Sequence, residues 1–250
     1  MWEPRLRMRQ ERVAKKTRLT EILRSQGLKT KNPLPKLGLL DSRYLYDWPF
    51  KRTTVKVPEM PLEFRPDYNK IVETRLYLAH KRPGADKYLV VKLFYLADRE
   101  HLIRYGRPIT RDKYVALTYG PIASNAMDLM ERDSYVMRKA NIDTLPFDIG
   151  EKQTKRGATQ TLGRPHREID RDLFSRTELA VLDETIAAYG GLDFDGLYNL
   201  THSHFAYNRA WNSRSHGSHA ADMRYDEMIE DDSARQRILE DIGPIAKFIR

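Results

Sequence analysis

The chain has 250 residues, 40% of them hydrophobic and 32% charged, with a mean hydropathy of −0.67. It contains no run of about 18 uncharged apolar residues, so a membrane-spanning helix is excluded. It has no cysteine, which excludes a disulfide framework, thiol catalysis and Cys-ligated zinc or iron–sulfur sites. A reducing, cytoplasmic location is the natural expectation. The formal charge is +9, and all of it falls in the first quarter. Residues 1–59 carry 15 Lys and Arg against 6 Asp and Glu, whereas residues 60–250 carry 29 of each. That distribution predicts a basic N-terminal arm, residues 1–59, joined to a neutral globular domain, residues 60–250.

In the arm, Pro4 and Gly27 frame a helix over residues 4–26. Leu6, Met8, Val13, Leu19, Ile22 and Leu23 form no clean apolar stripe along it. Residues 28–59 hold Pro33, Pro35, Pro49 and Pro58 and read as an extended segment. Tyr44, Tyr46, Trp48 and Phe50 could pin that segment to the domain. Three readings of the arm stand open: a grip on nucleic acid or an acidic partner through counterion release, a solvated tail, or a stretch upstream of a true start at Met60. The basic N-terminus has no apolar core behind it and does not read as a secretory signal.

In the domain, Asp67 is an N-cap candidate for a helix running to about His80, which Pro83-Gly84 ends. Asp86 caps a second helix that closes at Gly106. Apolar residues spread around this helix, which predicts a central one covered on most sides. Arg107 to Leu117 reads as a short hairpin, and Ser124 as the cap of a helix over residues 125–132. From Tyr135 to Asp172 the periodicity is lost. Residues 151–168 read as an exposed loop or a second mobile hairpin, flanked by short extended pieces at Tyr135–Met137 and Leu145–Phe147. Ser175-Arg176-Thr177-Glu178 is a capping box ahead of Leu179, Leu182, Ile186 and Tyr189. A helix fits residues 195–203, Trp211 follows a turn, and one or two helices cover residues 222–241. The fold class is mainly α (α+β): a compact helical domain with one or two small β-hairpins, plus the extended basic N-terminal arm.

The common catalytic signatures are missing: no phosphate-binding glycine loop, no H-E-x-x-H, no nucleophile elbow. His202, His204, His216 and His219 crowd into 18 residues, with Asp222 nearby. Four imidazoles can bind zinc, but the spacing is irregular, and a polar loop around Trp211 is the preferred reading. Asp98 and His101, three apart, could share a proton as an acid–base dyad. A buried polar network holding the helix against the hairpin is the commoner outcome and is preferred. Asp193-Phe194-Asp195-Gly196 is faintly like a calcium loop, but His204 stands where the bidentate Glu is needed. A helix N-cap explains it.

The run Lys92-Leu93-Phe94-Tyr95-Leu96-Ala97-Asp98-Arg99-Glu100-His101-Leu102 is followed by Tyr105-Gly106-Arg107-Pro108-Ile109-Thr110, by Asp112-Lys113-Tyr114-Val115-Ala116 and by Tyr119-Gly120-Pro121. Together they resemble the Panacea domain, the SocA-like antitoxin domain. Leu173 to Leu179, Leu182-Asp183, and Thr201-His202 through Ala210-Trp211 fit the same family, and the resemblance spans about residues 60–240. It implies a mostly helical fold, no enzymatic activity, and no catalytic residue, metal or cofactor. It further implies an antitoxin of a toxin–antitoxin pair, bacterial or phage, that neutralises a cognate toxin by direct binding; a proteolytic adaptor that hands a toxin to a protease is the founding member's variant. Asp98, Arg99, His101, Gly106, Pro108, Gly120 and Pro121 are then motif residues with a structural part to play. By residue type, the partner-binding candidates are Arg107, Tyr114, Tyr119, Tyr207, Arg209 and Trp211, since aromatic and Arg anchors dominate interfaces. Other readings are a nucleic-acid-binding regulator using residues 1–59, or a hydrolase or metal enzyme using Asp98, His101 or the histidine cluster. No membrane partner is expected.

Overall fold

A computed structural model describes residues 62–249, so the readings of residues 1–59 lie outside the described residues. Helix α1, Tyr68–Lys81, starts where the Asp67 carboxylate accepts the Lys70 amide at 3.1 Å. Helix α2, Lys87–Tyr105, starts in the same way, with Asp86 accepting the Leu89 amide at 2.8 Å. It ends at Gly106, whose φ of 76° is the left-handed conformation that glycine adopts without a Cβ penalty. Every residue from Val90 to Asp98 is buried, so α2 is the central helix that its all-round apolar pattern predicts. Each fully buried Leu or Phe on it contributes about 2 kcal/mol.

The first hairpin lies further along the chain than expected. Strands β1, Tyr114–Leu117, and β2, Gly120–Ala123, pair antiparallel with Leu117 opposite Gly120, so Thr118 and Tyr119 make the turn. Residues 107–113 stay irregular, with the amides of Ile109 and Thr110 bonded to Asp98 and those of Asp112 and Lys113 to nearby side chains rather than to a neighbouring strand. A short β5, Ala221–Asp222, joins the other edge of β1, giving the order β2-β1-β5. Asp222 is therefore in a strand, not at the start of a helix.

Helix α3, Ser124–Met130, begins without a side-chain cap from Ser124. Its first turn is held from outside, where Asp112 accepts the amides of Asn125 at 3.0 Å and Ala126 at 2.8 Å. Tyr135–Met137, expected to be extended, lies in helix α4, Ser134–Lys139, because Asp133 caps it by accepting the Tyr135 and Val136 amides. Of the two readings of residues 151–168, the hairpin is correct: β3, Phe147–Thr154, pairs with β4, Gly157–Pro165.

Ser175 and Glu178 form the reciprocal capping box at the start of α5, Arg176–Tyr189. Asp193 caps α6, Phe194–His202, by accepting the Gly196 amide at 2.8 Å, which is the N-cap reading of that segment. Trp211 lies inside helix α7, Phe205–Ser213, and does not follow a turn. Helix α8, Asp232–Asp241, covers only the later part of the expected span. The described residues thus form a mainly helical fold with small antiparallel sheets. The main core gathers Ile71, Leu76, Phe94, Tyr95, Leu102 and Leu129, and a second cluster joins Tyr77, Ala97, Ile109, Phe174, Val181 and Leu182. Among the described residues no helix is long and apolar enough to cross a membrane.

Candidate partner-binding surface

Helix α2 carries three polar side chains that solvent does not reach: Lys92, Asp98 and His101. Burying such groups is costly unless each finds partners, and all three find them in the chain between Arg107 and Pro121. Asp98 accepts from the Ile109 amide at 2.9 Å, the Thr110 amide at 2.8 Å, the Thr110 hydroxyl at 2.6 Å and the Tyr114 hydroxyl at 2.9 Å. Burial pushes its carboxyl pKa up, and these donors oppose the shift. His101 places Nδ1 2.6 Å from the Arg107 carbonyl and Nε2 3.2 Å from the Thr177 hydroxyl. The carbonyl requires a donor, which assigns the proton to Nδ1. Burial lowers the His101 pKa and keeps the ring neutral. Asp98 and His101 are committed to separate partners, so the acid–base dyad does not form.

Lys92 donates to the Tyr119 carbonyl at 2.7 Å and the Pro121 carbonyl at 2.9 Å, with Nζ 4.8 Å from the Tyr88 ring centroid. Burial pulls its pKa well down. Gly120 lies between the two carbonyls with φ 96°, and a Cβ there would stand 2.7 Å from Lys92 Nζ and 2.9 Å from Thr201 Oγ1. Only glycine fits that position.

A second network lies where α1, α2 and α5 meet. Glu178, fully buried, pairs with Lys70 at 2.7 Å and Arg107 at 2.6 Å and accepts the Ser175 amide at 2.7 Å. Burial raises its pKa, but the Lys70 ammonium, the Ser175 amide and Arg107 outweigh burial and hold it below the ordinary value. Arg107, a partner-binding candidate by type, is thus tied into the frame. Arg99 pairs with Glu230 at 2.9 Å, and Pro108 is buried.

The face over the β1–β2 turn is aromatic. Phe194, Tyr198 and His202 fall four apart on α6, and Tyr207 and Trp211 four apart on α7, so each set shares a helix face. The rings follow one another: Tyr88 on Phe194 at 4.4 Å, Phe194 and Tyr198 at 5.9 Å, Tyr198 on His202 at 3.6 Å, His202 and Tyr207 at 4.4 Å, Tyr207 and Trp211 at 6.1 Å. Tyr119, 55% exposed, meets Phe194 edge-on at 5.8 Å. Arg156 stacks on Phe194 at 3.1 Å and Arg214 on Trp211 at 3.8 Å. Apart from the buried Tyr207 these rings are partly exposed, and aromatic side chains flanked by arginines are the residue types enriched in interface cores.

Of the candidates chosen by type, Tyr119, Tyr207 and Trp211 come together in this ribbon, and Arg209 is exposed on the same helix as the last two, 3.8 Å from Glu227. Tyr114 and Tyr207 are each 2% exposed. Their rings pack in the interior, and their hydroxyls bond to Asp98 and to the Leu117 carbonyl. Sequence reasoning missed Tyr88, Tyr198, Arg156 and Arg214. The spacing of Phe194, Tyr198 and His202 was the signal that could have found the ribbon.

The histidines of the suspected cluster go separate ways. His202 contacts the Tyr198 carbonyl at 2.8 Å and the Thr118 carbonyl at 3.3 Å, and His204 the Tyr95 hydroxyl at 3.1 Å. Among the described residues no three His, Cys, Asp or Glu side chains stand where they could hold a metal ion.

Residues 90–208 match the family model described as antitoxin SocA-like, Panacea domain. The match lies within the span expected from the motifs and takes in Lys92, Asp98, His101, Gly120 and the ribbon from Tyr119 to Tyr207. A search of the curated proteins and a search of the solved structures each found no match.

Proposed function

We propose that this chain, with its SocA-like Panacea match over residues 90–208, is the antitoxin of a toxin–antitoxin pair and neutralises a cognate toxin by binding it directly. The observation that carries this reading is the division of labour around α2. The motif's ionisable side chains, Asp98 and His101, are used up in buried bonds, chiefly to the 107–114 loop, while the ring face over the β1–β2 turn stays partly open to solvent, most of all at Tyr119. Such a surface offers contact area and no reactive group. A stable specific interface buries on the order of 1,600 Å², and a ribbon running from Tyr88 to Trp211 is a suitable centre for one.

The test is co-expression of the full chain with the product of the adjacent reading frame. The neighbour alone is expected to arrest growth, the pair to grow, and the two proteins to co-elute. A neighbour that is harmless by itself overturns the reading. The net charge of residues 1–59 favours a second activity, nucleic-acid binding. Retention on DNA that is unchanged after deleting residues 1–59 overturns that one.

A further inference from the structure

The β3–β4 hairpin has no core of its own at its tip, where every residue from Gly150 to Ala158 is exposed. Its root is fixed: the Leu162 amide donates to the Ala85 carbonyl at 2.8 Å, and the Gly84 amide to the Leu162 carbonyl at 2.8 Å. Its far end is held by little. Lys152 reaches Asp86 at 2.9 Å, and Arg156 lies 3.7 Å from Asp195 with both side chains more than half exposed. Exposed pairs of this kind hold weakly. The remaining contact is the Arg156 guanidinium, 3.1 Å from the centroid of Phe194.

The place that Arg156 occupies has the make-up of a cation site. Phe194 supplies a ring face, buttressed by Tyr88 stacked at 4.4 Å and Tyr119 edge-on at 5.8 Å. Asp195 stands 3.7 Å from the Arg156 guanidinium, and Asp86 and Asp193 line the same groove together with Lys152 and Lys155. Asp86 spends one oxygen on capping α2 and the other on Lys152, and Asp193 one on capping α6, whereas Asp195 has only the long contact to Arg156. The seat opens into a groove of about 740 Å³ lined by Arg82, Gly84, Lys152, Gly190 and Leu197.

We infer that Arg156 is a removable plug, and that an arginine of the partner protein takes its seat on Phe194 beside Asp195. The seat is a property of this chain alone; only the identity of the partner rests on the antitoxin reading. The chemistry recognised is a planar cation: the ring face attracts it, and the Asp195 carboxylate supplies the opposite charge. A competing arginine must first displace Arg156, so the apparent affinity of the wild-type chain is reduced by the small fraction of open hairpin. A contact of cation–π strength keeps that fraction at about one in ten.

The probe is N-acetyl-arginine amide, titrated by NMR into the full chain, with N-acetyl-citrulline amide as the uncharged control. Arg156→Ala is expected to bind the arginine probe about tenfold more tightly than wild type and to ignore citrulline. Adding Phe194→Leu, which keeps an apolar side chain but removes the ring, is expected to abolish binding while circular dichroism and the unfolding midpoint stay close to those of Arg156→Ala. Equal affinities of wild type and Arg156→Ala, no binding to either, or binding that survives Phe194→Leu would overturn the proposal. A hairpin arginine with a purely structural part would loosen the tip on substitution but create no new site. The experiment needs no toxin, so its failure leaves the antitoxin reading standing, and a harmless neighbour leaves the seat standing.

Discussion

The ammonium of Lys92 lies 2.9 Å from the carbonyl oxygen of Pro121, inside a helix that solvent does not reach at that point. This bond and its twin to Tyr119 tie the β1–β2 turn to the central helix. Gly120→Ala forces a side chain into the left-handed region and against Lys92 Nζ, and is expected to cost about 2–4 kcal/mol. Lys92→Met strips the Pro121 carbonyl of its donor and leaves the Tyr119 carbonyl with only the long bond from the Tyr88 hydroxyl at 3.3 Å, and is expected to cost about 2 kcal/mol. Because the methyl of the first collides with the amine removed by the second, the double variant is expected to fall short of the sum by about 1 kcal/mol. Urea unfolding of the four proteins checks the cycle, and strict additivity contradicts it.

Asp98 fixes the preceding loop with four accepted bonds. Asp98→Ala strands those buried donors and is expected to destabilise by about 3–5 kcal/mol. Asp98→Asn keeps one acceptor oxygen and should cost less. The readout is the denaturant midpoint together with the amide shifts of Ile109 and Thr110, which should move far more than those of α5.

Two buried groups titrate in the same acidic window with opposite effects on stability. Burial lowers His204 from 6.5 to about 4. The folded state then binds fewer protons than the unfolded chain, so its contribution is present above 6.5 and is lost as pH falls towards 4. Burial raises Asp112 from 3.8 to about 6. Here the folded state binds more protons, so the contribution is present below 3.8 and is lost as pH rises through 6. Each shift corresponds to about 3 kcal/mol. Unfolding free energies measured from pH 4 to 7 are expected to rise less steeply with pH in His204→Gln and more steeply in Asp112→Asn. A carboxyl NMR titration of Asp112 should show its midpoint near 6.

Variants in the aromatic ribbon are expected to separate binding from folding. Tyr119 is 55% exposed and Tyr105 46% exposed, and only the first belongs to the ribbon. Tyr119→Ala is expected to weaken toxin binding about tenfold or more, with a stability change of about 1 kcal/mol at most. Tyr105→Ala should leave affinity unchanged. Calorimetry on purified pairs measures both.

The elements most legible in the sequence are those with local signals. Asp67, Asp86 and the Ser175–Glu178 box mark helix starts within a few residues, and the all-round apolar run of α2 marks a buried helix. Where a distant residue does the work, the local reading fails. Ser124 is the cap that sequence suggests, yet Asp112, twelve residues earlier, supplies the acceptors. The 107–117 segment has strand-like residues, but only Tyr114–Leu117 pairs, because the carboxylate of Asp98 takes the amides of Ile109 and Thr110. At the candidate surface, residue type picked out Tyr119 and Trp211. It could not tell them from Tyr114 and Tyr207, because whether a tyrosine faces solvent or a buried acceptor depends on the helices packed over it.

The ties from α2 to the segment above it run largely through main-chain atoms: the amides of Ile109 and Thr110 and the carbonyls of Arg107, Tyr119 and Pro121. Every amino acid except proline supplies the same amide, and every one supplies the same carbonyl. The side chain at Tyr119 can therefore be exchanged for almost any other without loosening its mooring. One scaffold can in this way be re-tailored to a different protein by rewriting its outermost letters while the hidden stitching stays as it is.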